Sequence, residues 1–396
     1  MTTTQDRNVV RSQKEFKVVG TRPLLNSSTG AHKVTGEAIY GADFYPNEYL
    51  HGKVLRSPHG HAKIKSINTS KAEALEGVKA VVTYKDYPTN NPEGTHGMAG
   101  LPMKQLRDNS MASDKVLYEG HPIAGVAAVN PHIAEEALSL IEIDYEVLPA
   151  VLTAPEALKD GAPILLEDLK TKGDITKQKG QTNLAEHFRH EKGDIEKGFG
   201  EADHILEREF NTATVHQGYI EPQNTTAYWD KDGRLFIWLS TQGPFEVRSD
   251  TAIAVGIDEA KVRVTPMEIG GGFGGKFPLY HEPVAALLSI KSGKAVKIVM
   301  SRQEVLEGTG PTPGSYSKVK IGITNEGKIT AGQAYIAFEA GAYPGSPVAA
   351  GAQCVFAAYD VPNGLVDGLD VVVNKPKAAA YRAPGATQVA MATETL

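Results

Sequence analysis

From Gly36 the stretches EAIYGADF and LHGKVLRSPHGHAKIKSIN alternate apolar and polar residues with period 2, which predicts half-buried strands. TSKAEALEGVKAVVTYKD then changes period: Thr69 or Ser70 is expected to cap a short helix, Gly77 to end it, and Val78 to Thr83 to form a buried strand. Residues 88–113 are rich in Pro, Gly and Asn with weak periodicity and read as a long loop. After them come a strand in EGHPIAGVAAV, a helix in PHIAEEALSLI with Pro131 in its first turn, and a strand in EIDYEVLPAVL. The pattern is that of an α+β fold, with a polar arm over 1–29 and a first domain over 30–152. Residues 153–190 are Lys-rich without a sustained period and read as a linker.

A second domain is expected over 191–396. DHILEREFNTATVHQGYIEPQNTTAYWD, RLFIWLSTQ and KVRVTPMEI read as strands, and GPFEVRSDTAIAVGI and PVAALLSIKSG as helices ahead of strand KAVKIVMS. KVKIGITNEGKITAGQAYIAFEAG carries a hairpin turn at Asn325 to Gly327, and LVDGLDVVVN adds a strand.

Composition narrows the functional classes. The 396 residues are 41% hydrophobic and 22% charged, ordinary for a globular protein, and a net charge of -6 offers no basic footprint for nucleic acid. The N-terminus lacks an apolar signal core and no apolar run reaches the ~18 residues of a membrane span, so a cytoplasmic location is expected. A single cysteine, Cys354, allows neither an intrachain disulfide nor an iron–sulfur cluster held by this chain alone.

The candidate chemistry centres on EIGGGFGGKF, Glu268 to Phe277. It matches G-x-G-x-x-G through Gly270, Gly272 and Gly275, and G-x-x-x-x-G-K through Gly270, Gly275 and Lys276. Both nucleotide motifs need a helix opening at the last glycine, where its N-terminus would meet phosphate. Here Pro278 and Pro283 push the expected helix start to Glu282. A phosphate loop would also need Ser or Thr where Phe277 stands, and a dinucleotide site an acidic residue where Ser301 and Arg302 follow the next strand. An NADP-dependent oxidoreductase using Gly270 to Gly275 stays open as an alternative, beside a glycine corner with no ligand.

The segments SPHGHAKI, LEGVKAVVT, YEGHPIAGVAA, GYIEPQ, LSTQGPFEVR, GGGFGGK and AYRAPGATQ occur in the order seen in the molybdenum-binding large subunits of the xanthine dehydrogenase/aldehyde oxidase family. The resemblance runs from about Val19 to the end of the sequence. It implies an α/β hammerhead domain followed by the first part of the molybdenum cofactor-binding domain. It implies a loop whose glycines at 271, 272 and 274 approach the cofactor closely, with Phe273 beside it as a cofactor-binding and, with Gln242, a catalytic position. The implied cofactor is molybdenum-molybdopterin, as such or as its cytosine dinucleotide, with the metal held through the pterin dithiolene rather than by protein ligands.

Other residues gain meaning from the same resemblance. Gln242 alone reads as a surface amide, but its matching position donates to an oxygen on molybdenum, where an amide stabilises growing charge. Arg382 alone reads as a solvated cation; its segment, with Ala383, matches one that runs along the pterin, where a guanidinium fork suits anionic acceptors. His59 and His61, two apart on an expected strand, share a face but lack a third metal ligand nearby. His216 and Glu221 suggest an acid–base pair, against which Glu221-Pro222 reads as structural support.

The resemblance implies oxidation of an aldehyde or N-heteroaromatic compound with water as oxygen source, and transfer of electrons to 2Fe-2S and FAD centres on partner subunits. Phe277 replaces the glutamate of purine hydroxylases, and no cysteine lies in AYRAPGATQ as in carbon monoxide oxidising relatives. The general base of the family lies in a second half of the molybdopterin domain, so the sequence is expected to be either a naturally split large subunit, whose companion chain bears the base, or one segment of a longer protein. A non-catalytic assembly module of the same fold is the alternative outside enzymes.

Overall fold

The computed structural model describes residues 30–89, 95–96, 101–173 and 180–396. The expected arm at 1–29 lies outside the described residues. Residues 30–39 belong to a small unit of their own, a helix at Ala31–Thr35 closed by Gly36 with φ 80°.

The larger unit, from Tyr40 on, is built on two large sheets. Seven strands run in the order Val262–Pro266, Leu235–Leu239, Asn224–Trp229, Val296–Val299, Leu50–Arg56, Pro122–Ala128 and Val78–Thr83. Two pairings are parallel, Leu50–Arg56 with Val296–Val299 and Leu235–Leu239 with Val262–Pro266. This sheet takes strands from both sides of the boundary expected near residue 152. The period-2 logic holds within it: Leu235, Ile237 and Leu239 are buried on one face, while Phe236 and Trp238 stack on the other.

Helices Pro244–Val255 and Glu282–Ser292 cover the inner face and join its largest apolar cluster. Glu282–Ser292 starts where the two prolines predict, with Pro283 in the first turn, and Gly293 ends it in the left-handed region at φ 66°. Helix Pro131–Ser139 packs against strands Leu50–Arg56 and Pro122–Ala128, its first turn capped by Asn130, whose side chain accepts from Ile133 N–H.

The second large sheet runs in the order His204–Thr212, Ser315–Ile323, Ile329–Gly341, Asn363–Val372 and Leu184–Lys192. A three-stranded sheet joins Lys115–Val116, Ala62–Asn68 and Glu142–Val147.

Three expectations are corrected. The linker 153–190 contributes structure: Ala154, Ala157 and Leu165 are buried with Leu184 and Val371 to Val373, and Asn183 ties the strap by donating to the carbonyls of Ala157 (3.1 Å) and Pro163 (2.9 Å). It has no period because it is a strap burying single residues, and its end is already strand Leu184–Lys192. The loop at 88–113 contains a helix, Met103–Ser110, pinned by buried Arg107, which donates to Ala254 O at 2.8 Å and Ile253 O at 3.2 Å. Those carbonyls end helix Pro244–Val255, where a cation is favoured by the helix dipole. Thr69 precedes helix Ser70–Ala74, but its hydroxyl bonds the Glu73 carboxylate rather than capping a backbone N–H.

Candidate cofactor site

The glycine loop leaves edge strand Val262–Pro266 and folds as a tight turn, with Gly275 N–H donating to Gly272 O at 2.7 Å. Gly271 at φ 93° and Gly274 at φ 108° adopt backbone that favours glycine. A Cβ on Gly274 would stand 2.5 Å from Ala380 O, and one on Gly272 would stand 2.5 Å from the Gln242 Oε1. The loop therefore packs its backbone against the backbone at Ala380 and against the side chain of Gln242.

Gln242 ends the turn after strand Leu235–Leu239. Its Oε1 accepts from the N–H of Gly274 (3.0 Å) and of Lys276 (3.3 Å), and its own N–H donates to Lys276 O at 3.0 Å. Two backbone donors at one amide oxygen fix which end of the side chain is nitrogen. The Nε2 donors have no partner among the described residues.

The third segment arrives at the same place. Arg382 N–H donates to Phe273 O at 3.0 Å, and the exposed residues Arg382 and Ala383 line an open cleft of about 590 Å³ with Thr212, Val215, Thr312 and Gln388. Phe273 is 48% exposed at φ 53°, and Ala383 has φ 61°. With Glu48 these are the only non-glycine residues at positive φ among the described residues, and backbone strain of this kind gathers at functional sites. Gln242, Gly271, Gly272, Phe273, Gly274, Arg382 and Ala383 thus form one neighbourhood.

The nucleotide readings fail on this geometry. Lys276 is fully buried and paired with Glu221 at 2.7 Å, so its ammonium reaches no phosphate. Desolvation lowers its pKa, and the carboxylate bond opposes that shift. Arg302 clasps the carbonyls of Tyr219 (2.9 Å) and Ile220. Helix Glu282–Ser292 begins well past the last glycine.

The histidines fall elsewhere. His59 and His61 lie in a bend before strand Ala62–Asn68; His59 meets Tyr145 edge-on and the His61 Nδ1 is 2.7 Å from Pro149 O. Among the described residues no group of three or more His, Cys, Asp or Glu is arranged to hold a metal. His216 Nδ1 accepts from Gly218 N–H at 3.0 Å, which makes its Nε2, 2.9 Å from Thr309 Oγ1, the protonated nitrogen. Glu221 faces the glycine loop instead, accepting from Gly270 N–H at 2.7 Å. The loop-holding residues Gln217, Tyr219, Gln223 and Tyr280 were not singled out as site residues from the sequence, and Lys276 was weighed there only as the lysine of a phosphate loop. For the first three the signal was the i, i+2 spacing of polar groups in QGYIEPQ.

Comparison with known proteins identifies the family. Residues 35–149 match the family model of the aldehyde oxidase and xanthine dehydrogenase a/b hammerhead domain, and residues 176–396 that of the molybdopterin cofactor-binding domain. The chain is 32% identical over 385 residues to the nicotinate dehydrogenase large molybdopterin subunit of Eubacterium barkeri, covering 96% of this chain and 85% of that one. It is 35% identical over 378 residues to a probable xanthine dehydrogenase subunit of Bacillus subtilis (strain 168), covering 94% of this chain but 48% of that protein's length. The crystal structure of quinoline 2-oxidoreductase from Pseudomonas putida 86 superposes with a TM-score of 0.79 at 26% identity, over 89% of this chain and 44% of that one. The chain spans about half the length of the Bacillus and Pseudomonas proteins. With the cofactor-binding match covering more than half of its residues, the chain belongs to the molybdopterin-binding subunits of the xanthine dehydrogenase and aldehyde oxidase family.

Proposed function

We propose that the chain is the molybdenum-binding part of a hydroxylase that oxidises an N-heteroaromatic compound or an aldehyde, with water as the oxygen source. The observation that carries this reading is the Gln242 amide, whose carbonyl is held by Gly274 and Lys276 N–H while its donor end has no partner among the described residues. The residues fit the cofactor. Glycines leave room that Cβ atoms would fill, and the Arg382 guanidinium, with no partner among the described residues, suits the anionic and ring acceptors of a molybdopterin or its cytosine dinucleotide. When bound, the molybdenum cofactor supplies the oxygen-transfer and two-electron chemistry.

The protein's own part is orientation and electrostatics. With the cofactor bound, Gln242 Nε2 would donate toward an oxygen on which negative charge develops, an arrangement worth ~2.7–4 kcal/mol for comparable donors. Gly271, Gly272 and Gly274 set the closeness of approach, and Arg382 and Ala383 line the cleft. Phe277, 41% exposed beside Gly243, offers an apolar wall with no acceptor for a purine edge. Nicotinate and quinoline, named in two relatives, are N-heteroaromatic compounds, which favours that class.

Electrons leave through 2Fe-2S and FAD centres on partner subunits, since one thiol cannot ligate a cluster. Glu221 is held by an ammonium and a backbone N–H and is unsuited as general base, so we assign the base to polypeptide outside these residues. Among the described residues no helix is long and apolar enough to cross a membrane.

Elemental analysis of the natively purified complex tests the assignment, with about one molybdenum expected per copy of the chain. An active preparation without molybdenum would sink it. Saturable NADPH binding by the metal-free chain would revive the nucleotide reading, and a metal-loaded complex without turnover on any aldehyde or N-heteroaromatic would favour an assembly role.

A further inference from the structure

Residues 217 to 223 form an irregular segment, bent at Ile220 and Glu221 with Gly218 at φ 69°, that joins neither large sheet, and its side chains at 219, 221 and 223 meet the glycine loop. Gln217 donates to the carbonyls of Gly310 (3.1 Å) and Ala380 (2.9 Å). Tyr219 lies under the loop, where a Cβ on Gly271 would come within 3.1 Å of its Cβ and one on Gly275 within 2.9 Å of its ring. Gln223 donates to Tyr219 Oη at 3.1 Å and Gly275 O at 3.4 Å.

Glu221 makes the decisive contacts. Its Oε2 accepts from Gly270 N–H at 2.7 Å and from Lys276 Nζ at 2.7 Å, while its Oε1 accepts from Asn224 Nδ2 at 3.1 Å. Gly270 and Lys276 are the first and last residues of the loop, so one carboxylate oxygen holds both ends. Between them lie four more glycines, whose backbone freedom would otherwise leave the loop many conformations. The Lys276 N–H then meets Gln242 Oε1 at 3.3 Å, and its ammonium, fully buried, also donates to Ser240 Oγ at 3.2 Å.

We propose that Glu221 is a positioning residue: by closing the glycine loop at both ends it fixes the two backbone N–H groups that aim the Gln242 amide. This rests on the reading of Gln242 as a cofactor-facing donor. The bland alternative is that Glu221 only neutralises a buried lysine, since a lone buried charge is strongly destabilising whatever its neighbours do.

The test compares Glu221→Gln with the double variant Glu221→Gln/Lys276→Met, which buries no unpaired charge and keeps the side-chain volumes. Amide hydrogen exchange is followed in the full metal-free chain, and kcat, KM and molybdenum content in the complex. In both variants exchange at Gly274 and Lys276, or at Gly274 and the residue replacing Lys276, is expected to quicken about tenfold or more while strand Asn224–Trp229 stays within about twofold. In the complex kcat falls about tenfold with KM and molybdenum content kept, the pattern of a contact made in the transition state. If the double variant regains wild-type loop protection and kcat, the pair only balances charge and the inference is overturned. If Glu221→Gln alone fails to fold, the double variant still decides. Absence of molybdenum from the wild-type complex would defeat the cofactor reading, while the exchange result, measured without metal, would still decide whether Glu221 holds the loop.

Discussion

Arg382 N–H donates to Phe273 O at 3.0 Å, joining two segments that each hold a non-glycine residue at left-handed φ, Phe273 at 53° and Ala383 at 61°. An alanine in that region costs ~1–2 kcal/mol. Ala383→Gly should therefore leave the unfolding free energy unchanged or raise it by up to about 1 kcal/mol, whereas Ala383→Val should lower it by more than about 1 kcal/mol. Urea unfolding measures both. Destabilisation by the glycine variant would mean that the methyl group packs more than it strains.

Gln242→Glu separates two roles that Gln242→Ala would merge. A glutamate keeps an oxygen for the Gly274 and Lys276 N–H groups but has no Nε2 donor. Unfolding free energy should change by less than about 1 kcal/mol while kcat drops about 10²–10³-fold at unchanged molybdenum content. Full activity in this variant would remove the amide donor from the chemistry.

Two glycines give opposite expectations. Gly274→Ala meets Ala380 O at 2.5 Å in a backbone region closed to alanine, and should cost at least about 2 kcal/mol with loss of molybdenum. Gly200, at the end of helix Ile195–Gly200, has nothing within 4 Å of a built Cβ, so Gly200→Ala should be neutral or stabilising by up to ~1 kcal/mol. Thermal unfolding with metal analysis checks the pair; equal effects would mean that the loop gives way.

Burial drives His281 down to about 3 and His121 to about 4, with the Arg56 charge adding to both. Between these values and the ordinary histidine value the unfolded chain binds protons that the folded chain does not. Stability owed to these neutral rings is thus present at neutral pH and lost as pH falls below about 6.5, at about 1.4 kcal/mol per pH unit for each. His281→Gln removes one such proton, so its stability deficit against wild type should shrink by that slope on acidification. Parallel pH–stability curves from denaturant titrations would contradict this.

Much of the fold was legible where one face of an element meets one environment. Val78–Thr83, Glu282–Ser292 and the turn near Gly327 stand where period, proline and glycine put them. The signal failed where polar residues are buried. Arg107 reads as a surface residue until the carbonyls at the end of Pro244–Val255 are seen to receive it. Gln217, Glu221 and Gln223 alternate like a solvent-facing strand, yet they face a loop whose backbone groups need partners. Gln242 and Arg382 could be singled out only through the ordered motifs around them, because a lone amide or guanidinium has no periodic signature. Helix Ala386–Thr395 was not anticipated; its packing on Phe338 and Val348 depends on strands far upstream in the sequence.

The parallel partner of Leu50–Arg56 is Val296–Val299. A ribosome adding ~5–20 residues per second reaches that partner about 240 residues later, roughly 12–50 s after the first strand is made. During that interval the early three-stranded piece, Leu50–Arg56 with Pro122–Ala128 and Val78–Thr83, presents an unpaired backbone edge and the apolar face that Glu282–Ser292 later covers. The nascent chain is therefore a natural client for a holding chaperone, and slow codons placed before the second half would lengthen its exposure rather than help it fold.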